Sequence, residues 1–250
     1  YKYTNIIKMN NGESEQSASS SSPSIKYEIL PDDYTQYDLS FKVIVIGDSG
    51  VGKSCLTNKA TKNIFEESYN ATVGFEFFSF NIKMEDKVIK LQIWDTCGQE
   101  LYRSLITNFY RNSSLAIMVY SITSKDSFDN IDVWLKELRM NSNPDAKVFL
   151  IGNKVDLDNE RKVDKTLGEQ YAKENSLHMF MESSAKTGFN AQNVFIEAAK
   201  ILYMDYLKYK DKIDQRSSSG SFKPMSPNTG GNNGTTNLNN VQPVKKGCGC

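Results

Sequence analysis

The 250-residue sequence is 39% hydrophobic and 24% charged, the make-up of an ordinary globular protein with room for one full domain plus tails. Thirty basic residues balance thirty acidic ones, which excludes a global field drawing the chain to nucleic acid or to an acidic partner. The longest apolar run, Leu115 to Tyr120, is far too short to span a bilayer, and the first thirty residues lack the apolar core of a signal peptide, so no secretory routing is expected.

Residues 13–24 are dominated by serine, including Ser19 to Ser22, and cannot bury enough apolar surface to order themselves. Residues 1–39 are therefore expected to form a disordered extension, and because the sequence begins at Tyr1 rather than Met, a start further upstream is expected. Patterned sequence follows over 40–210, the size of a single α/β domain. Phe41 to Ile46 is a strand-like run ending at Gly47, and Lys53 to Thr61 reads as a helix. Phe75 to Lys83 and Val88 to Trp94 flank Met84-Glu85-Asp86-Lys87 as the arms of a hairpin. Leu115 to Ile122 and Lys147 to Ile151 are continuous apolar runs, as in strands covered on both faces. Helical patterns occupy Ser127 to Asn141, Lys165 to Glu174 and Asn190 to Tyr209, the last with an apolar stripe of Val194, Ala198, Ile201, Leu202, Met204 and Tyr206. A strand is expected around Met179 to Glu182, and His178 beside it, on an edge, is given no catalytic role. The alternation predicts an α/β fold, a mostly parallel six-stranded sheet with helices on both faces, whose ligands bind at the carboxyl ends of the strands. Residues 211–250 read as a flexible tail, since Ser217 to Val241 is built from Ser, Gly, Asn, Thr and Pro.

Four cysteines occur, Cys55, Cys97, Cys248 and Cys250, and no disulfide is expected of a large chain of this kind. Asn70-Ala71-Thr72 and Asn112-Ser113-Ser114 fit the glycosylation pattern, which carries no weight without secretion.

The segment Gly47-Asp48-Ser49-Gly50-Val51-Gly52-Lys53-Ser54 matches the phosphate-loop pattern G-x-x-x-x-G-K-S/T, after a strand and before a helix as the chemistry requires. Glycines let successive backbone N–H groups curl inward as an anion nest. The helix N-terminus adds partial positive charge at the same point. Lys53 can reach the β- and γ-phosphates and the Ser54 hydroxyl can ligate Mg²⁺. This loop alone indicates a nucleoside triphosphate and no particular base; ATPases and small-molecule kinases share it.

The base is indicated further on. In Asn153-Lys154-Val155-Asp156, which follows the strand Lys147 to Ile151, an aspartate carboxylate can accept from both N1–H and the exocyclic amine of guanine. Adenine would leave that carboxylate unpaired, a mismatch costing orders of magnitude. Ser184-Ala185-Lys186, after the last strand, would bring a backbone N–H to the guanine carbonyl.

With these three motifs in register, the block from Ser40 to Tyr209 resembles a small GTPase of the Ras superfamily, a P-loop nucleoside triphosphatase with a Ras-like G domain. The resemblance implies binding of GTP and GDP with Mg²⁺. Its nucleotide contacts would be Ser49, Gly50, Val51, Gly52, Lys53, Ser54, Cys55, Phe65, Thr72, Gly98, Asn153, Lys154, Asp156, Ser184, Ala185 and Lys186, and its cation ligands Ser54, Thr72 and Asp95, the last through a water. Thr72 matches a first-switch threonine that meets the cation only when the γ-phosphate is present, and Phe65 sits where the family places a ring over guanine, or serves as an apolar anchor. Asp95-Thr96-Cys97-Gly98-Gln99 matches the second switch, in which Gln99 would orient the attacking water. Hydrolysis would be slow, and an activating protein supplying arginine could add about 10³–10⁵-fold. Cys97 replaces the usual alanine, either packing like it or offering a thiolate near Mg²⁺ and backbone amides.

Several segments resemble the Rab branch: Val73-Gly74-Phe75-Glu76-Phe77, Lys90 to Asp95, and Met118 to Thr123. Phe77, Trp94 and Phe109 match its aromatic cluster between the switches, with Phe109 in place of the usual tyrosine. Lys245-Lys246-Gly247-Cys248-Gly249-Cys250 is similar to the Cys-x-Cys terminus that carries two geranylgeranyl groups, and two lipid chains anchor stably where one does not. The resemblance thus implies a lipid-anchored, monomeric switch of vesicle traffic on the cytoplasmic face of intracellular membranes, with a cytosolic pool. Implied partners are an exchange factor, an activating protein, effectors, and prenylation escort and GDP-dissociation-inhibitor proteins. A guanine-nucleotide binding module with negligible hydrolysis is the alternative; an ATP-using phosphotransferase is opposed by Asn153 and Asp156.

Overall fold

In the computed structural model, which describes residues 25–67, 72, 74–98 and 109–219, seven strands form one sheet. Along the chain these are β1 (Tyr27–Leu30), β2 (Leu39–Ile46), α1 (Lys53–Lys62), β3 (Phe75–Met84), β4 (Lys87–Thr96), β5 (Leu115–Ser121), α2 (Lys125–Asp129), α3 (Ile131–Asn141), β6 (Lys147–Asn153), a 3₁₀ segment (Val155–Glu160), α4 (Lys165–Glu174), β7 (Met179–Ser183) and α5 (Ala191–Ser219). The strand order is β1-β3-β4-β2-β5-β6-β7. β2 lies parallel to β4 and β5, and β6 and β7 extend the parallel half; only β1 on β3 and β3 on β4 run antiparallel. The α/β class and mostly parallel sheet stand as expected, with seven strands instead of six.

Alternation along the central strands divides the core in two. Val43 and Val45 of β2 face one cluster while Ile44 and Ile46 face the other; on β5, Leu115, Ile117 and Val119 oppose Ala116, Met118 and Tyr120. This is the period-two geometry of a strand, with apolar residues on both sides because helices cover both faces. Leu56 and Ala60 of α1 and Val194, Phe195, Ala198 and Leu202 of α5 close the first cluster. Phe128, Ile131, Trp134, Leu135 and Leu138 of α2 and α3, with Ala172 of α4, close the second. Cys97 is buried in that second cluster, where it packs as a small apolar residue.

The additional strand corrects the reading of residues 1–39 as wholly disordered. Tyr27 to Leu30 pair antiparallel with Met84 to Asn81, and the Lys26 backbone exchanges two hydrogen bonds with Glu85, one to its carboxylate and one from its amide N–H. Asn81, buried in β3, donates to the carbonyls of Pro31 at 2.8 Å and Asp32 at 3.1 Å. The serine run dominates the composition of this region, but Ile25-Lys26-Tyr27-Glu28-Ile29-Leu30 is locally apolar; it is four paired residues on an edge, too short to register as a pattern. Residues 1–24 lie outside the described residues.

Two helical expectations also shift. The stretch Ser127 to Asn141 is two helices joined at Asn130, with Ser124 capping the first by accepting from the Ser127 N–H. The last helix runs beyond Tyr209 to Ser219, because its charged continuation is helix-compatible although the apolar stripe has ended. By internal contacts the chain forms two units, Tyr1–Tyr209 and Lys210–Cys250, and of the second only residues 210–219 are described. No helix among the described residues is long and apolar enough to cross a membrane.

Candidate functional site: a phosphate loop with a guanine pocket

Strand order reverses at β2, which is flanked by β4 on one side and β5 on the other; a parallel sheet opens a crevice at such a point. The phosphate loop leaves the carboxyl end of β2 here. Gly52 caps α1 in a left-handed conformation, φ 93°, and a Cβ at this position would stand 2.5 Å from the Asn153 amide nitrogen, so the loop closes only on glycine. α1 has no side-chain cap and no acidic residue in its first turn, which leaves its leading N–H groups and their partial positive charge for an anion.

Lys53 is buried, and its Nζ donates to the carbonyls of Gly47 at 2.8 Å and Asp48 at 2.7 Å. An ammonium carries three donors, so one remains for a phosphate oxygen. Burial pulls the Lys53 ammonium down to about 8, against the nearby carboxylates Asp95 and Asp48 that pull it up.

Below the loop, three oxygen-bearing side chains converge. Ser54 Oγ lies 2.8 Å from Thr72 Oγ1 and donates to Asp95 Oδ2. Asp95 is wholly buried, and burial pushes its carboxyl up to about 7 despite the Ser54 hydrogen bond and the Lys53 charge. Its Oδ1 has no partner among the described residues. A buried carboxylate oxygen without a partner is costly, and two hydroxyls with one carboxylate are the hard donors that suit Mg²⁺ and its waters. The residues therefore fit the cation assigned to Ser54, Thr72 and Asp95.

A cavity of about 450 Å³ runs from this point toward the ends of β6 and β7, a size suited to a small-molecule ligand. Asp156 Oδ1 accepts from Ser184 Oγ at 2.6 Å, which fixes the carboxylate and leaves lone pairs for the two-donor edge of guanine. Asn153 works differently from a direct base contact. Its Nδ2 donates to the Val51 carbonyl at 2.9 Å, while its Oδ1 accepts from Ser183 Oγ and the Ala185 N–H, each at 3.2 Å. Of the three backbone N–H groups in Ser184-Ala185-Lys186, that of Ala185 is thus bonded within the protein. Lys154, in a left-handed conformation with φ 73°, lies along the loop and donates to the Gly50 carbonyl at 2.6 Å.

Of the expected contacts, Ser49, Gly50, Cys55, Phe65, Thr72, Gly98, Asp156 and Lys186 line the cavity with the residues already placed. Val51 and Ser184 do not line it; both are buried beneath, Val51 in the core and Ser184 as the anchor of Asp156. Glu66, Glu67 and Leu157 line it as well and belong to no motif. Glu67 pairs with Lys186 at 3.0 Å, a link between distant segments that no local pattern reveals. Gln99, Cys248 and Cys250 lie outside the described residues.

A phosphate loop at the switch point, hydroxyls and a carboxylate that fit a cation, and an aspartate anchored by Ser184 have the arrangement expected of a nucleotide-binding P-loop domain. Residues 42–204 match the sequence model of the Ras family, well over half of the chain. The chain belongs to the Ras family and is a small GTPase of that superfamily; such proteins in general bind GTP and GDP with Mg²⁺ and meet exchange factors, activating proteins and effectors.

Replacing the Asp156 carboxylate tests the role expected of it. Asp156→Ala should weaken GTP binding by about 10²-fold or more, the worth of charge-assisted bonds lost in a pocket, while leaving ATP binding as poor as before. Competition titration with the two nucleotides measures both.

Proposed function

We propose that this chain is a Rab-like, membrane-attached switch that hydrolyses GTP slowly and recruits effectors in vesicle traffic. The observation that carries the reading is an aromatic cluster that displays two exposed phenylalanine rings. Phe75, Phe77, Trp94 and Phe109 form one group, with ring centroids 4.7 Å apart for Phe75 and Phe109 and 5.5 Å for Phe77 and Trp94. Phe75 and Phe77 are nearly half exposed, at 45% and 49%, an unusual display for such side chains. Lys42 stands 5.2 Å over the Trp94 ring. Phe75 and Phe77 belong to β3 and Trp94 to β4, strands that begin after Thr72 and end before Gly98, while Phe109 lies between β4 and β5, so rearrangement of either flank alters the surface a partner meets.

Thr72 supports the switching half of the reading. Its hydroxyl lies 2.8 Å from Ser54 Oγ although Thr72 itself belongs to no strand or helix, so its placement responds to what is bound there. Mg²⁺, when bound, would neutralise phosphate charge and orient the β- and γ-oxygens. Lys53 donates its remaining N–H to the same charge, the α1 N-terminus adds its N–H groups, and Gln99 orients the attacking water. Catalysis of this kind is positioning and electrostatics, without a covalent intermediate. The Cys248 and Cys250 pair, preceded by Lys245 and Lys246, supports attachment by two lipid chains aided by attraction to anionic headgroups.

Two measurements test these halves. Gln99→Leu should keep GTP binding and slow single-turnover phosphate release by about 10²-fold or more; unchanged release would mean that hydrolysis does not run through Gln99. Changing Cys248 and Cys250 together to Ser should move the tagged chain from membranes to the cytosol on fractionation, and persistent membrane association would contradict the anchor.

A further inference from the structure

Asp48 is a charged residue of the phosphate loop whose side chain is assigned no nucleotide or cation contact above. A carboxylate in a loop that must hold a triphosphate is an electrostatic liability, and this one does not line the cavity. It is turned toward the opposite face of the sheet. Its Oδ1 accepts from Trp134 Nε1 at 2.8 Å and its Oδ2 from Asn130 Nδ2 at 2.7 Å. Trp134 is wholly buried in the first turns of α3, and Asn130 is the junction of α2 and α3. Neutral donors on both oxygens satisfy the carboxylate without cancelling its charge, and such charge-assisted bonds are among the stronger ones a side chain makes.

The backbone of the same residue is engaged on two further sides. Its carbonyl accepts from Lys53 Nζ at 2.7 Å. Gly98 lies flat against the peptide joining Asp48 to Ser49: a Cβ on Gly98 would fall 2.3 Å from the Asp48 carbonyl carbon and 2.4 Å from the Ser49 nitrogen. One peptide thus meets Lys53 and Gly98, while its side chain is bolted to Asn130 and to Trp134 of α3.

We propose that Asp48 is a positioning residue: the grip of Asn130 and Trp134 on its carboxylate fixes the 48–49 peptide in the orientation that holds Lys53 and receives Gly98, and thereby makes nucleotide retention depend on α3. The inference rests on the chain's holding guanine nucleotide at this site. Free rotation of the Asp48 side chain would both loosen the peptide and let the charge swing toward the phosphates, and the two effects act in the same direction, toward release.

Dissociation of a fluorescent GDP analogue from the full-length protein, with Mg²⁺ present, tests it. Trp134→Phe removes the indole N–H and keeps an aromatic ring; it and Asn130→Ala should each release GDP about tenfold faster, as expected for the loss of one hydrogen bond to a charged group. The Asp48→Ala, Trp134→Phe double variant should release no faster than Asp48→Ala alone, because both changes break one clamp. Leu138→Ala serves as the control for general loosening. Leu138 is buried in the same helix and cluster, so this change should lower the thermal midpoint and leave the release rate near wild type. Wild-type release rates in Trp134→Phe and Asn130→Ala would overturn the inference, as would independent multiplication of the Asp48 and Trp134 effects, or release from Leu138→Ala as fast as from Trp134→Phe. A wild-type chain that retains no guanine nucleotide would overturn the reading of the site itself, and the inference with it.

Discussion

Nucleotide binding here depends on holding the ends of three strands at a fixed separation, and the Asn153 side chain does much of that. Standing at the end of β6, it bonds to the Val51 carbonyl in the phosphate loop after β2, and to Ser183 and Ala185 at the end of β7. The amide is buried and its polar atoms are matched within the protein, so it is costly to move. The phosphate loop and both segments proposed to read the base converge on it. The segment carrying Asp156 is thereby tied, three residues before it, to the glycine loop at the end of β2.

A second constraint is charge. Lys53 and Asp95 are both buried close to the cation site, and burial disfavours the charged form of each. A triphosphate and a divalent cation would supply the missing counter-charges, the phosphates to Lys53 and the cation to Asp95, whose Oδ1 has no partner among the described residues. The pocket is therefore poorly satisfied by protein groups alone and well satisfied by an anion with its metal. Thr72 shares the Ser54 hydroxyl in this arrangement, which links the stability of the first switch to the contents of the site.

Much of this is legible in the sequence because the governing rules are local. Gly47 to Ser54 sits between a β-branched run and a helix, and Asn153 to Asp156 follows an apolar run, so the positions of both at strand ends follow from the pattern. Alternating burial on β2 and β5 likewise follows from continuous apolar strands in a sheet covered on both faces. What escaped depends on pairing between distant segments. Strand β1 is four residues beside a serine run, held by the β3 edge and the buried Asn81. The division at Asn130 is hidden because the sequence on either side is helix-compatible. The internal role of Asn153, the Glu67 pairing with Lys186 and the Asp48 clamp are side-chain contacts across the fold, for which the chain carries no short-range signal.

The central claim is that this pocket holds a guanine nucleotide through Lys53 and a cation on Ser54, Thr72 and Asp95. The most direct measurement is the nucleotide released on denaturing the purified full-length chain, together with its rate of release before and after Mg²⁺ is chelated. The account predicts stoichiometric guanine nucleotide and release accelerated by about tenfold or more on chelation, since loss of the cation uncovers a buried charge. Bound adenine nucleotide, or guanine nucleotide whose release ignores Mg²⁺, would contradict it.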